Sequence, residues 1–146
     1  MRSRRFNLLA SAFTMVITLL LAGQITGNEP VAGEPKIRFF EIRTYTTEPG
    51  RLDALHARFR DHTTKLFEKH GMANIGYWTP ADDPRSKDTL IYVLAHESRE
   101  TADKSWQAFR DDPEWHKARD ASEADGKIVR KVESVFLNPT EYSKIK

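Results

Sequence analysis

The sequence predicts an α+β domain: one antiparallel sheet of four strands, with its helices on one face. Three observations lead there. Four short runs are rich in β-branched and aromatic residues. One long stretch with apolar residues three and four apart separates the first run from the second. Two shorter helical stretches separate the third from the fourth. The element order is therefore β-α-β-β-α-(α)-β.

The first strand is "IRFFEIRTY", residues 37–45. Alternation puts Phe40, Ile42 and Thr44 on one side, and Phe39, Glu41, Arg43 and Tyr45 on the other. "EPG" makes a turn. From about Arg51 to His70 the spacing predicts a helix with Leu52, Leu55, Phe59, His62 and Leu66 on one face. Gly71 follows and suits the left-handed position that ends a helix. "MANIGYWT" (72–79) reads as the second strand, "PADDPRSK" (80–87) as a polar loop, and "TLIYVLAH" (89–96) as a central strand.

Ser98 suits an N-cap for a helix running to about Arg110, with Ala102, Trp106 and Phe109 on one face. Asp112 then caps another helix, and Pro113 takes its first position, where a missing N–H costs nothing. That helix runs to about Ala124, with Trp115, Ala118 and Ser122 inward, and Asp125-Gly126 stops it. "KIVRKVESVFLN" (127–138) is the last strand. This order is that of the ferredoxin-like split βαβ arrangement. One helix layer cannot cover both faces of the sheet in a body of about 110 residues. A second copy packed sheet to sheet, burying the face with Phe39, Glu41, Arg43 and Tyr45, is the simplest cover, and an open monomeric face is the alternative.

The bulk numbers agree with one domain. The chain has 146 residues, 39% hydrophobic and 30% charged. The formal charge is +2, but Arg2, Arg4 and Arg5 supply three cations in an acid-free N-terminal stretch, so the remainder is at about −1. No basic field exists to attract nucleic acid. The basic start followed by the 18-residue apolar run Phe6–Gly23 is the pattern of an export signal over 1–27, cleaved near Gly27. An uncleaved anchor at residues 6–23 is the alternative. With the leader cleaved, the protein is periplasmic or extracellular and has no stable membrane partner. "NEPVAGEPK" (28–36) reads as a linker, so the domain spans 37–146. The chain has no Cys, which removes disulfides, thiol catalysis and lipoprotein attachment.

Three stretches carry a resemblance: "FFEIRTYTTEPGRLDALHARF", "HGMANIGYW" and "SWQAFRDDPEW". In this order and spacing they resemble the NIPSNAP family from about Arg38 to Tyr142, and the third is the most specific. The resemblance implies a dimeric α/β barrel, in which two ferredoxin-like protomers pair their sheets. The family's biochemical activity is undefined. Named members are linked to mitochondria and vesicle traffic, and the export-type leader here departs from them. The wider barrel group includes cofactor-independent monooxygenases, haem-degrading enzymes and plain ligand binders, and fold alone does not choose among them.

His62 is the single most interesting residue. On the buried helix face, in the place where barrel relatives hold a cavity, it would serve as acid, base or haem ligand. The alternative is a core histidine bonded to a carbonyl or carboxylate. Arg43 and Tyr45, with Glu41, read either as a polar anchor for a ligand or as an ion-pair network reaching Arg130 or Glu133. Trp78, Tyr92 and Trp106 read as core or as pocket wall. No metal site is expected. His56, His62, His70, His96 and His116 show no i, i+4 pair, and His62 and His70 stand about 12 Å apart along a helix. No G-x-S-x-G, P-loop, G-x-G-x-x-G or H-E-x-x-H motif occurs. The third strand lacks the aromatic run of RNA-recognition modules.

Three readings follow. The first is an exported homodimer that binds a small apolar molecule between sheet and helices, without a resident cofactor. The second is a monooxygenase-like or haem-handling enzyme. The third is a protein-interaction module with a filled core.

Overall fold

The computed structural model describes residues 38–146. The leader and linker of the sequence reading lie outside them. The strands are β1 (Phe39–Thr47), β2 (Ala73–Trp78), β3 (Thr89–His96) and β4 (Val129–Leu137). They form one antiparallel sheet in the order β2-β3-β1-β4. The helices are α1 (Leu52–Arg58), α2 (Thr64–Lys69), α3 (Arg99–Asp111) and α4 (Pro113–Ser122). This is the ferredoxin-like α+β arrangement that the element order predicts.

The expected helix from Arg51 to His70 is continuous but not uniform. A π-helical segment, Phe59–Thr63, joins α1 to α2. Such a segment inserts one residue into the turn. The Thr63 hydroxyl donates to the Arg58 carbonyl at 3.2 Å, bonding an oxygen within the widened turn. The inserted residue shifts the inward face from the expected Phe59–His62–Leu66 to Phe59, Thr63, Leu66 and Phe67, all buried. His62 is left exposed.

The caps match their sequence signals. The Ser98 side chain accepts from Thr101 N–H, and Asp112 accepts from Glu114 N–H with Pro113 in the first turn. Gly71 ends α2 at φ 75°, a conformation that favours glycine. Asp112 also ties two elements together. Its carboxylate meets Lys69 Nζ at 2.9 Å and His70 Nε2 at 2.7 Å. Lys69, His70 and the Glu114 backbone N–H hold it well below the usual carboxylate range. Trp115 packs its ring 4.6 Å from that of Phe109. The stretch "SWQAFRDDPEWHK" is thus a helix break locked onto the end of α2.

The two faces of β1 are as alternation divides them, but their roles are the reverse of the expectation. Phe39, Glu41, Arg43 and Tyr45 face the helices, not a second copy. The Trp106 indole of α3 reaches Glu41, and the Tyr45 ring meets Phe59 edge-on at 5.8 Å. Each face carries one Phe among mixed neighbours, so alternation alone could not orient the strand. The outer face presents Phe40, Ile42 and Thr44, beside Ile91, Val93 and Val135 by register. Between sheet and helices the core is Leu55, Phe59, Leu66, Phe67, Leu90, Tyr92, Leu94, Trp106 and Phe109 with their neighbours.

Candidate functional site

The expected site residues separate into three places. Arg43, Tyr45, Tyr92 and Trp106 lie between the sheet and the helices. His62 lies in a surface groove. Trp78 sits at the sheet edge beside a cleft.

The first place is a buried polar cluster. Glu41, only 1% exposed, accepts from Arg43 at 2.8 Å, Ser134 Oγ at 2.6 Å and Trp106 Nε1 at 2.6 Å. His96 Nε2 comes within 3.4 Å of the same carboxylate. Burial alone would raise the Glu41 pKa. His96, the hydrogen bonds from Ser134 and Trp106, and the Arg43 charge outweigh burial and lower it to about 2. The Arg43 guanidinium lies 4.2 Å from the Trp106 ring centroid and 5.7 Å from that of Tyr45. Arg43 therefore pairs within its own strand. The expected partners across the sheet, Arg130 and Glu133, bind Asp88 and Lys131 instead.

Tyr92 fills the middle of the layer and has no exposed surface. Its ring centroid lies 5.4 Å from Tyr45 and from Tyr77, and 5.2 Å from Phe59. Burial pushes its phenol well above the ordinary range. The Tyr92 hydroxyl, Arg43 Nε and both His96 nitrogens are buried without a hydrogen-bond partner. The cluster anchors α3 to the sheet through Trp106, and its aromatic neighbours occupy the centre where an apolar ligand was expected. The involvement of His96 and Ser134 was missed. His96 ends an apolar strand, and nothing in its spacing joins it to Glu41.

The second place is the His62 groove, of about 340 Å³, between the first helix and α4. Asp61, His62, Lys65, Glu114 and Lys117 line it, over Ala118 and Ala121. The expectation that His62 points between helices and sheet is corrected. The inserted residue of the π segment turns it to the surface, away from the position the enzyme and haem readings gave it.

The third place is a cleft of about 280 Å³ between the first helix and the β2 edge of the sheet. Phe59, Tyr77 and Leu90 supply its apolar surface, and His56, Arg60, Thr64 and Thr79 its polar groups. His56 Nε2 lies 3.3 Å from Thr79 Oγ1. Tyr77 donates its hydroxyl to Asn74 Oδ1 and stacks on Tyr92 at 21°. Burial pushes the Tyr77 phenol upward. Trp78 borders the cleft, while its indole lies over Gly76, where a Cβ would come within 2.5 Å of the ring. Among the described residues, no group of three His, Cys, Asp or Glu side chains is placed to hold a metal ion. No described helix is long and apolar enough to cross a membrane.

The NIPSNAP family model matches residues 40–144. The chain belongs to the NIPSNAP family. Solved structures carry the same fold. A NIPSNAP family protein of unknown function from Agrobacterium tumefaciens is 19% identical, with a TM-score of 0.65 over 77% of this chain and 97% of that one. A NIPSNAP-like domain protein from Burkholderia xenovorans is 16% identical, with a TM-score of 0.63 over 75% and 90%. A monooxygenase from Streptomyces coelicolor, in complex with nanaomycin D, is 15% identical, with a TM-score of 0.54 over 77% and 96%. At these identities the likeness is one of fold. Comparison with curated proteins finds no match. The NIPSNAP match places "SWQAFRDDPEW" inside the family region, and the lock around Asp112 is what this NIPSNAP chain builds from it.

Proposed function

We propose that the protein is a homodimer that binds a small molecule with a largely apolar body in the cleft between the first helix and β2. The observation that carries the reading is the cleft itself. It lies at the sheet–helix boundary, joins apolar walls to a few convergent polar groups, and falls near the small end of ligand pockets, which span roughly 300–1,000 Å³. The filled centre around Tyr92 directs a ligand to this edge.

The dimer reading rests on the outer face of the sheet. Trp78, Val135 and Leu137 are each at least 40% exposed there, beside half-buried Ile42, Ile91 and Val93. A contiguous apolar surface of this kind favours a self-complementary partner. Light scattering at micromolar concentration tests it, and a monomer would refute it. Val93→Lys should split the dimer without unfolding the protomer.

Ligand binding is tested by NMR with a library of single-ring compounds against the domain. Binders should move signals of Phe59, Tyr77 and Leu90, and Thr64→Phe, which fills the cleft, should abolish those shifts. No binder from such a library, with an intact dimer, would favour the interaction-module reading. Export is inferred from the basic start and the apolar run of the leader. An N-terminus near Asn28 on protein recovered outside the cytoplasm supports it, and an intact Met1 on soluble cytoplasmic protein overturns it.

A further inference from the structure

We infer that the ligand of this cleft is a small aromatic carboxylate. The inference rests on the reading of the cleft as a ligand site and adds the chemical class. The walls are rings: Phe59 and Tyr77 meet edge to face at 5.8 Å and 69°, with Leu90 beside them. Phe59 and Leu90 are nearly buried and Tyr77 is half-buried, so these side chains form the apolar floor of the cleft. Arg60 is the one permanently charged side chain among the lining residues, and the Glu68 carboxylate stands behind Asn74, near enough to add to the rise of the Tyr77 phenol. Arg60 and His56 are its ionisable side chains besides the Tyr77 phenol, Thr64 and Thr79 add hydroxyls, and neither Asp nor Glu lines it. The nearest acid in sequence, Asp61, lines the groove on the α4 side of the helix instead.

Arg60 is exposed, and among the described residues it makes no ion pair or hydrogen bond. That separates it from half-buried Arg43, held by Glu41, and from buried Arg58, held by Glu123 at 3.2 Å. A planar guanidinium with unclaimed donors matches a carboxylate in a two-point contact. Placed at the rim of an apolar cleft, it binds the charged end of a ligand while the rings take the body. His56 and Thr79, 3.3 Å apart, add a second polar pair to the lining of the same cleft.

The test pairs acids with their neutral amides: benzoate with benzamide, and 4-hydroxybenzoate with 4-hydroxybenzamide. Binding to the domain is followed by NMR titration of the Phe59, Tyr77 and Leu90 signals. The acids should bind at least about tenfold more tightly than the amides, as one charge-assisted contact implies. Arg60→Gln should remove most of that preference, and Arg60→Lys should keep part of it. Arg60 is exposed, so these variants should fold normally. Equal binding of acid and amide in the cleft would overturn the carboxylate assignment and leave the cleft a ligand site. Binding of neither pair, in a library that yields neutral binders, would overturn it in the same way. A library with no binder at all would refute the cleft reading itself.

Discussion

Glu41→Gln tests how the sheet holds α3. The substitution keeps the shape of the side chain and removes its charge. In the native protein Glu41 is buried and accepts from Arg43, Ser134 and Trp106. Its pKa falls from an ordinary 4.5 to about 2, which corresponds to about 3 kcal/mol in favour of the folded carboxylate. Removing one member of a buried pair costs on the order of 3–5 kcal/mol, because the remaining charge stays buried. The two figures agree, so a loss of about 3 kcal/mol is expected at neutral pH. For a domain of about 110 residues that lowers Tm by more than about 10 °C.

The pH dependence supplies an independent check. The folded pKa lies below the unfolded one, so protonation favours the unfolded chain. The stabilisation is complete above about 4.5 and is lost as the pH falls toward about 2. Urea unfolding, followed by tryptophan fluorescence at several pH values, should show native stability converging on that of the variant across this window. Asp112, also held below its ordinary range, is present in both proteins and cancels in the difference. A difference that stays constant from pH 6 to pH 2, or one below about 0.5 kcal/mol at neutral pH, would refute the buried-carboxylate account.

Tyr92→Phe removes a buried hydroxyl that has no partner, so stability should be unchanged or higher by up to about 1 kcal/mol; a large loss in thermal unfolding would show a bonded hydroxyl. His62→Ala should change stability by less than about 0.5 kcal/mol, because the π segment leaves the imidazole at the surface; a core-like loss in urea would restore the inward reading. Gly76→Ala should lift the Trp78 indole off the strand at a cost below about 1 kcal/mol, since the ring is half exposed and free to move; an unaltered Trp78 fluorescence spectrum would contradict the contact.

Local chemistry determined most of the architecture of the sequence 37–146. β-branched runs, apolar spacing, the Ser98 and Asp112 caps and Gly71 all act within a few residues, so element order and boundaries were legible from the chain alone. So was the inward placement of Ala102, Trp106, Phe109 and Ala118. The family resemblance was legible for the same reason: "SWQAFRDDPEW" encodes a helix break whose cap and proline are local. Only the tertiary structure decided three other matters. The orientation of β1 depends on Trp106, 65 residues away, reaching Glu41. The exposure of His62 depends on one extra residue in the π segment, and a single insertion reverses which neighbour faces inward while the sequence pattern continues to read as an ordinary helix. The cleft depends on Arg60 and His56 meeting Tyr77 and Leu90 across sheet and helix, contacts that have no signature in spacing along the chain.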